Sequence, residues 1–184
     1  MIKKVIVIFI FILFIKPVQA KENTMILKLK DGNVIIELFS DVAPNHVKRF
    51  KQLTNEKKYD GVVFHRVIDG FMAQTGDVEF GNSNLESYDI RRAGTGGSEY
   101  PNLKAEFSNI PHERGTISMA RSASPDSANS QFFICFKSTP SLDRQYTVFG
   151  KVVKGMEFVD LIKRGEGSNG EVSDPDKIIS LSAK

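Results

Sequence analysis

Tryptophan is absent from this sequence, cysteine occurs once and histidine three times. The single cysteine, Cys135, excludes an internal disulfide, so burial of apolar surface alone has to hold the fold. It lies inside the apolar run QFFICF, where a thiol behaves as a small hydrophobe; reactive cysteines need partly exposed, electropositive surroundings. His46, His65 and His112 do not fall at metal-ligand spacing, and without an HExxH or a cysteine partner a metal site has no support. The GxSxG elbow of serine hydrolases is missing, which leaves Ser118 and Ser130 as ordinary strand-edge serines. No internal repeat or low-complexity linker divides the chain.

One long hydrophobic run is present, at the very start. MIKKVIVIFIFILFIKPVQA has the three parts of a secretory signal: Lys3 and Lys4, the eleven apolar residues from Val5 to Ile15, and Val18-Gln19-Ala20 with small residues where a signal peptidase reads. Cleavage after Ala20 is expected, giving a signal peptide at 1–20 and one domain at 21–184. An uncleaved anchor is the other reading, disfavoured because the run falls short of the roughly 20 residues that span a bilayer. The leader carries Lys3, Lys4 and Lys16 and no acid, so 25 Lys and Arg less these three leaves 22, against 22 Asp and Glu. A neutral mature chain has no electrostatic footprint for nucleic acid. After cleavage no stable membrane association is expected.

Beyond the leader the pattern is mostly that of strands. Met25 to Lys30 alternates, Asp31-Gly32 signals a turn and Asn33 to Phe39 resumes, which together predict a β-hairpin. Pro44 suits a first helical turn, and Val47, Phe50 and Leu53 recur at helical spacing. Val62 to Ile68, Met72 to Gly76, Thr116 to Ala120, Gln131 to Phe136, Tyr146 to Val152 and Ile178 to Ser182 are six more strand candidates. A second short helix is predicted over Met156 to Ile162. Eight short strands and two helices that do not alternate as βαβ argue for an antiparallel sheet, closed or sandwiched. The long Val78 to Lys104 stretch, which contains AGTGGSEYP, lacks a GxxxxGK(S/T) pattern and reads as a surface loop beside a binding groove.

Arg66 is the one residue that invites a chemical reading by itself. It stands in FHRVIDGFMAQTGD, dense with apolar side chains, with Gln74 eight positions on and no cysteine or metal-ligand cluster beside it. The plainer interpretation is an arginine whose stem packs on a strand face while its head stays in water. Likewise Met72 and Phe133 alone would be core, Gln131 a solvated edge residue and Phe71 the close of a turn. Two further segments change that balance. With FHRVIDGFMAQTGD, the stretches SMARSASPDSANSQFFICF (Ser118 to Phe136) and YTVFGKVVKGMEFV (Tyr146 to Val159) resemble the three signature segments of the cyclophilin family of peptidyl-prolyl cis/trans isomerases. The resemblance runs from about Met25 to the C-terminus.

It implies a mainly β fold, a closed eight-stranded antiparallel β-barrel capped by two α-helices. Arg66 becomes the catalytic arginine with Gln74 beside it. His65, Phe71, Met72, Ala120, the backbone of Arg121, Gln131, Phe133, Leu142 and Tyr146 become substrate-binding residues, with Phe133 in the proline pocket. No cofactor and no metal are implied. The partners would be proline-containing unfolded or partly folded polypeptides, met by a monomer. The wording SMAR and SANSQFF is most similar to bacterial members, and with the leader it suggests a periplasmic enzyme that serves exported proteins. One departure stands out: Ser141 occupies the position where the best-known members place a tryptophan that helps bind cyclosporin, so weak cyclosporin binding is expected.

The chemistry is consistent with the residues. Rotating an X-Pro bond breaks amide resonance and no covalent bond, so neither nucleophile nor proton shuttle is needed, and a fixed cation suffices. A holdase of the same fold that grips proline segments without turnover is the competing reading, and a nucleic-acid partner the third.

Overall fold

The computed structural model describes residues 23–184, and the expected signal peptide lies outside the described residues. The alternation at Thr24–Lys28 (β1) and Asn33–Leu38 (β2) buries Met25, Leu27, Val34, Ile36 and Leu38 and forms the expected hairpin, with Leu27 opposite Val34. Its turn comes back tightly enough that Leu29 N–H donates to the Gly32 carbonyl at 2.9 Å. Helix α1, Pro44–Asn55, starts on its proline and turns Val47, Phe50 and Leu53 into the core. Its own N-cap position, Ala43, offers no side chain. The Glu106 carboxylate takes that place from a distant loop, accepting from the backbone N–H of Asn45 and His46 at 3.1–3.2 Å.

Six more strands follow: Arg66–Ile68 (β3), Met72–Thr75 (β4), Thr116–Met119 (β5), Phe132–Cys135 (β6), Val148–Lys154 (β7) and Ser180–Ala183 (β8). The second helix, α2, covers Met156–Asp160 after Gly155, whose φ of 88° and contact with the Asn33 carbonyl leave no room for a Cβ. All pairings within the sheet are antiparallel, in the order β3-β4-β6-β5-β7-β2-β1-β8. Among the described residues no helix is long and apolar enough to cross a membrane.

The closed barrel is corrected to a curled, open half-barrel. β3 and β8 are the two edges and do not pair with each other. The reason is local. Only 66–68 of the Val62 to Ile68 run joins a ladder: before it Val62 and Val63 make single bridges to Asn82 and Lys177, and on its outer side Arg66 makes a single bridge to Glu171. Residues 165–178 cover this edge as irregular chain: Val67 N–H donates to Gly170 O, Val172 N–H to His65 O and Phe64 N–H to Asp176 O. The backbone groups are thus satisfied without a continuous sheet.

Two apolar clusters lie on opposite faces of the sheet. In the larger, Phe50, Tyr59, Phe132 and Phe149 meet at ring-centroid distances of 5.1–6.3 Å. The smaller holds Met72, Phe133 and Cys135, with Ile68, Phe71, Ala120, Leu142 and Tyr146 packed against it. Strand alternation makes the division: Phe132 and Ile134 go to one side, Phe133 and Cys135 to the other.

Candidate active site

Register, more than proximity in sequence, assembles the site. Arg66 is paired with Gln74, Gln74 with Phe133 and Phe133 with Ser118, a single row across β3, β4, β6 and β5. Directly opposed residues share a face, so Arg66, Gln74 and Phe133 come side by side on the face that carries the smaller cluster. A one-residue slip of β4 would send Gln74 into the core and bring out Ala73 or Thr75.

A cavity of about 200 Å³ opens over this row, lined by Arg66, Phe71, Met72, Gln74, Ala120, Arg121, Phe133, Leu142 and Tyr146. Phe133 and Tyr146 make an edge-to-face corner, 5.7 Å between centroids at 81°. Arg66 is held from two sides: its Nε donates to the Asn169 carbonyl at 2.9 Å and its Nη1 to Gln74 Oε1 at 3.3 Å. Burial lowers its pKa from the usual arginine value, with Tyr146 acting in the opposite sense. No carboxylate pairs with it among the described residues, and its Nη2 makes no hydrogen bond with them. A guanidinium does not give up its proton under ordinary conditions. The site therefore offers a charged donor in a small recess walled by apolar and polar side chains together, with no carboxylate or histidine among its lining residues.

Gln131 lies one step outside this recess. It lines an adjoining cavity of about 480 Å³ that shares Gln74, Ala120 and Arg121 with the first and is otherwise walled by Gly94–Ser98, Asn102, Ser122, Ser127 and Asn129. Gln74 Nε2 donates to Gln131 Oε1 at 3.0 Å, and Gln131 Nε2 donates to the carbonyls of Gly94 and Gly96 at 2.9 and 2.8 Å. The same glycines give their own N–H groups to Asp77 Oδ2 at 2.7 and 2.9 Å, while Asp77 Oδ1 accepts from Glu79 and Phe80. A continuous chain of hydrogen bonds thus runs from a buried carboxylate through the 94–96 strap to Arg66. The Val78 to Lys104 stretch borders a groove at this strap.

His65 is where the expectation of a substrate contact has to be corrected. Its ring is 7 % exposed, lines neither cavity and sits under Gly94, where an added Cβ would be 2.9 Å from the ring. Consecutive residues of extended chain point to opposite sides, so the neighbour that puts Arg66 in the recess puts His65 behind it. Neither ring nitrogen makes a hydrogen bond of ordinary geometry, and burial pushes its pKa down to about 4.

Sequence reading missed several supporting residues. His112 Nε2 is 3.1 Å from Ser118 Oγ and its Nδ1 3.0 Å from Asp143 Oδ1, an arrangement that looks like a hydrolytic triad. It lacks the access that acyl transfer requires. Ser118 is fully buried, its hydroxyl donates to the Thr147 carbonyl at 2.8 Å, and the His112 ring is stacked 6.2 Å behind Phe133. The trio joins β5, the Leu142 turn and the rear of the recess. Asp77 and the Asn169 carbonyl were also missed. Asp77 closes the quoted FHRVIDGFMAQTGD, and an aspartate after glycine is a signal for side-chain capping of a following turn; a backbone carbonyl has no sequence signal. Cys135, beneath the recess, has its thiol pKa pushed up to about 12 by burial and by the Asp143 charge, as expected of a packing thiol.

Comparison with known proteins decides the family. The family model described as cyclophilin type peptidyl-prolyl cis-trans isomerase/CLD matches residues 24–183. The chain belongs to the cyclophilin family. Its activity is peptidyl-prolyl cis-trans isomerisation. A Brucella suis protein named "Probable peptidyl-prolyl cis-trans isomerase" is 62% identical over 159 residues, 86% of this chain and 81% of that one. A Helicobacter pylori peptidyl-prolyl cis-trans isomerase is 41% identical over 151 residues, 80% of this chain and 85% of that one. Among solved structures, the Cryptosporidium parvum cyclophilin type isomerase, crystallised in the presence of the dipeptide Ala-Pro, is 26% identical with a TM-score of 0.74, over 88% of this chain and 98% of that one. In this cyclophilin, therefore, the recess over Arg66, Gln74 and Phe133 is the candidate active site, built from one chain.

Proposed function

We propose that this isomerase turns X-Pro bonds by electrostatic stabilisation of the twisted amide at Arg66. In the planar amide the nitrogen lone pair is delocalised, and the barrier to rotation is about 18–20 kcal/mol. As the bond twists, density returns to the nitrogen, which becomes a better acceptor. A donor aimed there favours the transition state over the ground state, and only such a difference accelerates the step. Each ~1.4 kcal/mol of that difference is tenfold in rate.

The observation that carries this reading is the free Nη2 of a guanidinium whose other nitrogens are already fixed by Asn169 and Gln74. Phe71, Met72, Phe133, Leu142 and Tyr146 supply the apolar part of the wall around it; a proline ring seated on them would exclude water there and raise the value of a hydrogen bond to the twisting nitrogen. Gln74 and Gln131 hold the flanking peptide. That a relative was crystallised with Ala-Pro supports a small proline-containing ligand for this recess too. With the leader of residues 1–20, the role extends to folding of exported proteins in the periplasm, where uncatalysed X-Pro isomerisation takes tens of seconds or more. One chain supplies every lining residue of the recess, so a monomer would suffice for the reaction.

The test is exchange spectroscopy on a short Ala-Pro peptide with wild type, Arg66→Ala and Arg66→Lys. Wild type accelerates exchange, Arg66→Ala loses at least tenfold in kcat/KM at an unchanged melting temperature, and Arg66→Lys recovers part of it. Equal rates in wild type and Arg66→Ala would overturn the mechanism.

A further inference from the structure

Three arginines of the described residues pair with an acid: Arg91 with Asp89, Arg114 with Asp160, Arg164 with Asp69. Arg121 is arranged differently. Its Nε and Nη2 donate to the Gln145 carbonyl at 3.3 and 3.0 Å, and its Nη1 donates to the carbonyls of Ser122 and Ala123 at 2.9 and 3.3 Å. The guanidinium lies 4.4 Å over the Tyr146 ring. Every partner is neutral, and no ion pair neutralises it among the described residues. Four of its five N–H groups are engaged in this way, leaving one on Nη2.

The position of this charge gives it a use. Arg121 is shared by the walls of both cavities, the smaller one over Arg66 and the larger one beside it, and neither wall contains an aspartate or glutamate. Arg66 and Arg121 are the charged side chains of the two walls, and the Asp77 carboxylate behind the strap is buried and engaged by the N–H groups of Gly94 and Gly96. The carbonyls and the aromatic face hold the guanidinium in one place, so a bound anion would not have to order a long flexible side chain. A peptide with its proline over Phe133 passes Arg121 on its way into the larger cavity, and extended chain advances about 3.3 Å per residue.

We propose that Arg121 is a specificity-determining residue that selects proline segments carrying an aspartate or glutamate one to three residues from the proline, on the side that enters the larger cavity. This deepens the isomerase reading and rests on the proline occupying the recess over Phe133. A carboxylate there meets the remaining Nη2 hydrogen and the uncompensated charge, while a lysine meets repulsion.

The experiment is a peptide series with glutamate, glutamine or lysine at each of three positions on either side of a single proline. Binding constants and isomerisation rates are both measured, at low and high salt, for wild type, Arg121→Gln and Arg121→Lys. The quantity read is the glutamate-to-glutamine ratio within each variant, so any general loss from altering Arg121 cancels. At one or more positions on one side only, wild type is expected to bind glutamate roughly fivefold more tightly than glutamine, and lysine more weakly than either. The ratio shrinks in high salt, falls to about one in Arg121→Gln and is partly kept in Arg121→Lys. A ratio of one at every position in wild type, or a preference that survives Arg121→Gln, overturns the proposal. Because binding is titrated separately, absent turnover would count against the Arg66 mechanism, whereas charge-blind binding would count against Arg121.

Discussion

Gln74 and Gln131 meet amide to amide, with Gln74 Nε2 3.0 Å from Gln131 Oε1. Through that contact the Arg66 guanidinium is coupled to the Gly94 and Gly96 carbonyls, because Gln131 spends both hydrogens of its own amide on them. Gln131→Glu replaces those donors by oxygens and sets a carboxylate against two carbonyls, so the strap must move or the side chain must turn away. The expected result is a loss of about tenfold or more in kcat/KM for a neutral Ala-Pro peptide, with the melting temperature little changed. Exchange rates and a thermal melt on the same samples check it.

The segment over the open sheet edge is expected to matter for the same reason. Asn169 holds Arg66 Nε through its backbone carbonyl, and Gly170 beside it has φ of 72°, where an added Cβ would collide with Ile68 Cγ1 and lie 2.9 Å from the Val67 carbonyl. Gly170→Ala is therefore both strained and obstructed. It should displace the Asn169 carbonyl and lower kcat about tenfold. Asn169→Ala keeps that carbonyl and removes only the side-chain bond to Glu171, so it should retain most of the activity. Parallel kinetics on the two variants separate the backbone contact from the side chain.

These two cases also show how far the sequence could be read. Alternation around Leu27, Ile36, Phe132 and Ile134 and the helical spacing of Val47, Phe50 and Leu53 are local patterns, and the elements they predict are present. What places Arg66 and Gln74, eight residues apart on consecutive strands, beside Phe133 is register with a strand dozens of residues further on, and only the resemblance to cyclophilins pointed to that grouping. The His65 assignment failed because a motif names neighbours without saying which face each takes. The closed barrel came with the resemblance, whereas Val62 to Ile68 was read as one strand of which only 66–68 joins a ladder: a run buried on both sides looks like a long strand whether it joins a ladder or is met by irregular chain. The Glu106 cap and the Asp77 anchor are tertiary, with partners 60 and 17 residues away, and no local pattern announces such contacts.

His65 carries a prediction about pH. Folded, its pKa is near 4 because burial disfavours the imidazolium, whereas in the unfolded chain it is about 6.5. Between these values the unfolded state binds the extra proton, so stability falls as pH drops from about 6.5 to about 4 and is complete above that window. The contribution is on the order of 3 kcal/mol. His65→Phe replaces a ring with no hydrogen bond of ordinary geometry to lose, and it should flatten the fall of denaturation midpoint with pH. The flattening is partial, since buried His46 also has a lowered pKa and acts with the same sign. Urea midpoints from pH 7 to pH 4.5 for wild type and variant measure the difference in slope.

Glu106 should act in a lower window. Burial opposes its ionisation, but hydrogen bonds from the His46 side chain and from the His46 and Asn45 backbone overcome it and hold the carboxyl below its usual pKa. A depressed carboxyl stabilises the fold above the unfolded value, about 4.3, and that stabilisation is lost as pH falls through the folded one. Glu106→Ala removes the cap of α1 and leaves His46 Nδ1 unpaired in a buried site. A loss of about 1–2 kcal/mol is expected at pH 7, with a smaller difference from wild type below pH 4. Denaturant titrations at the two pH values check it.

Ser141 allows the groove's rim to be tested with a ligand other than a client. It is exposed on the short 3-10 turn Pro140–Leu142, next to Leu142 in the wall of the recess, and its carbonyl accepts from Gln145 Nε2 at 2.9 Å. A serine adds almost no apolar area there, which supports weak binding of cyclosporin. Ser141→Trp places a large aromatic side chain at the rim without disturbing a side-chain hydrogen bond, and burying even about 60–100 Å² of it at roughly 25 cal/mol per Å² corresponds to a gain of about tenfold or more in affinity. Because the chain has no other tryptophan, the new residue reports its own environment, and its fluorescence should shift as cyclosporin binds. The unaltered enzyme can be titrated by calorimetry or by inhibition of exchange. Tight binding to the serine form, or no gain in the tryptophan form, would show that the rim at position 141 does not set cyclosporin affinity in this enzyme.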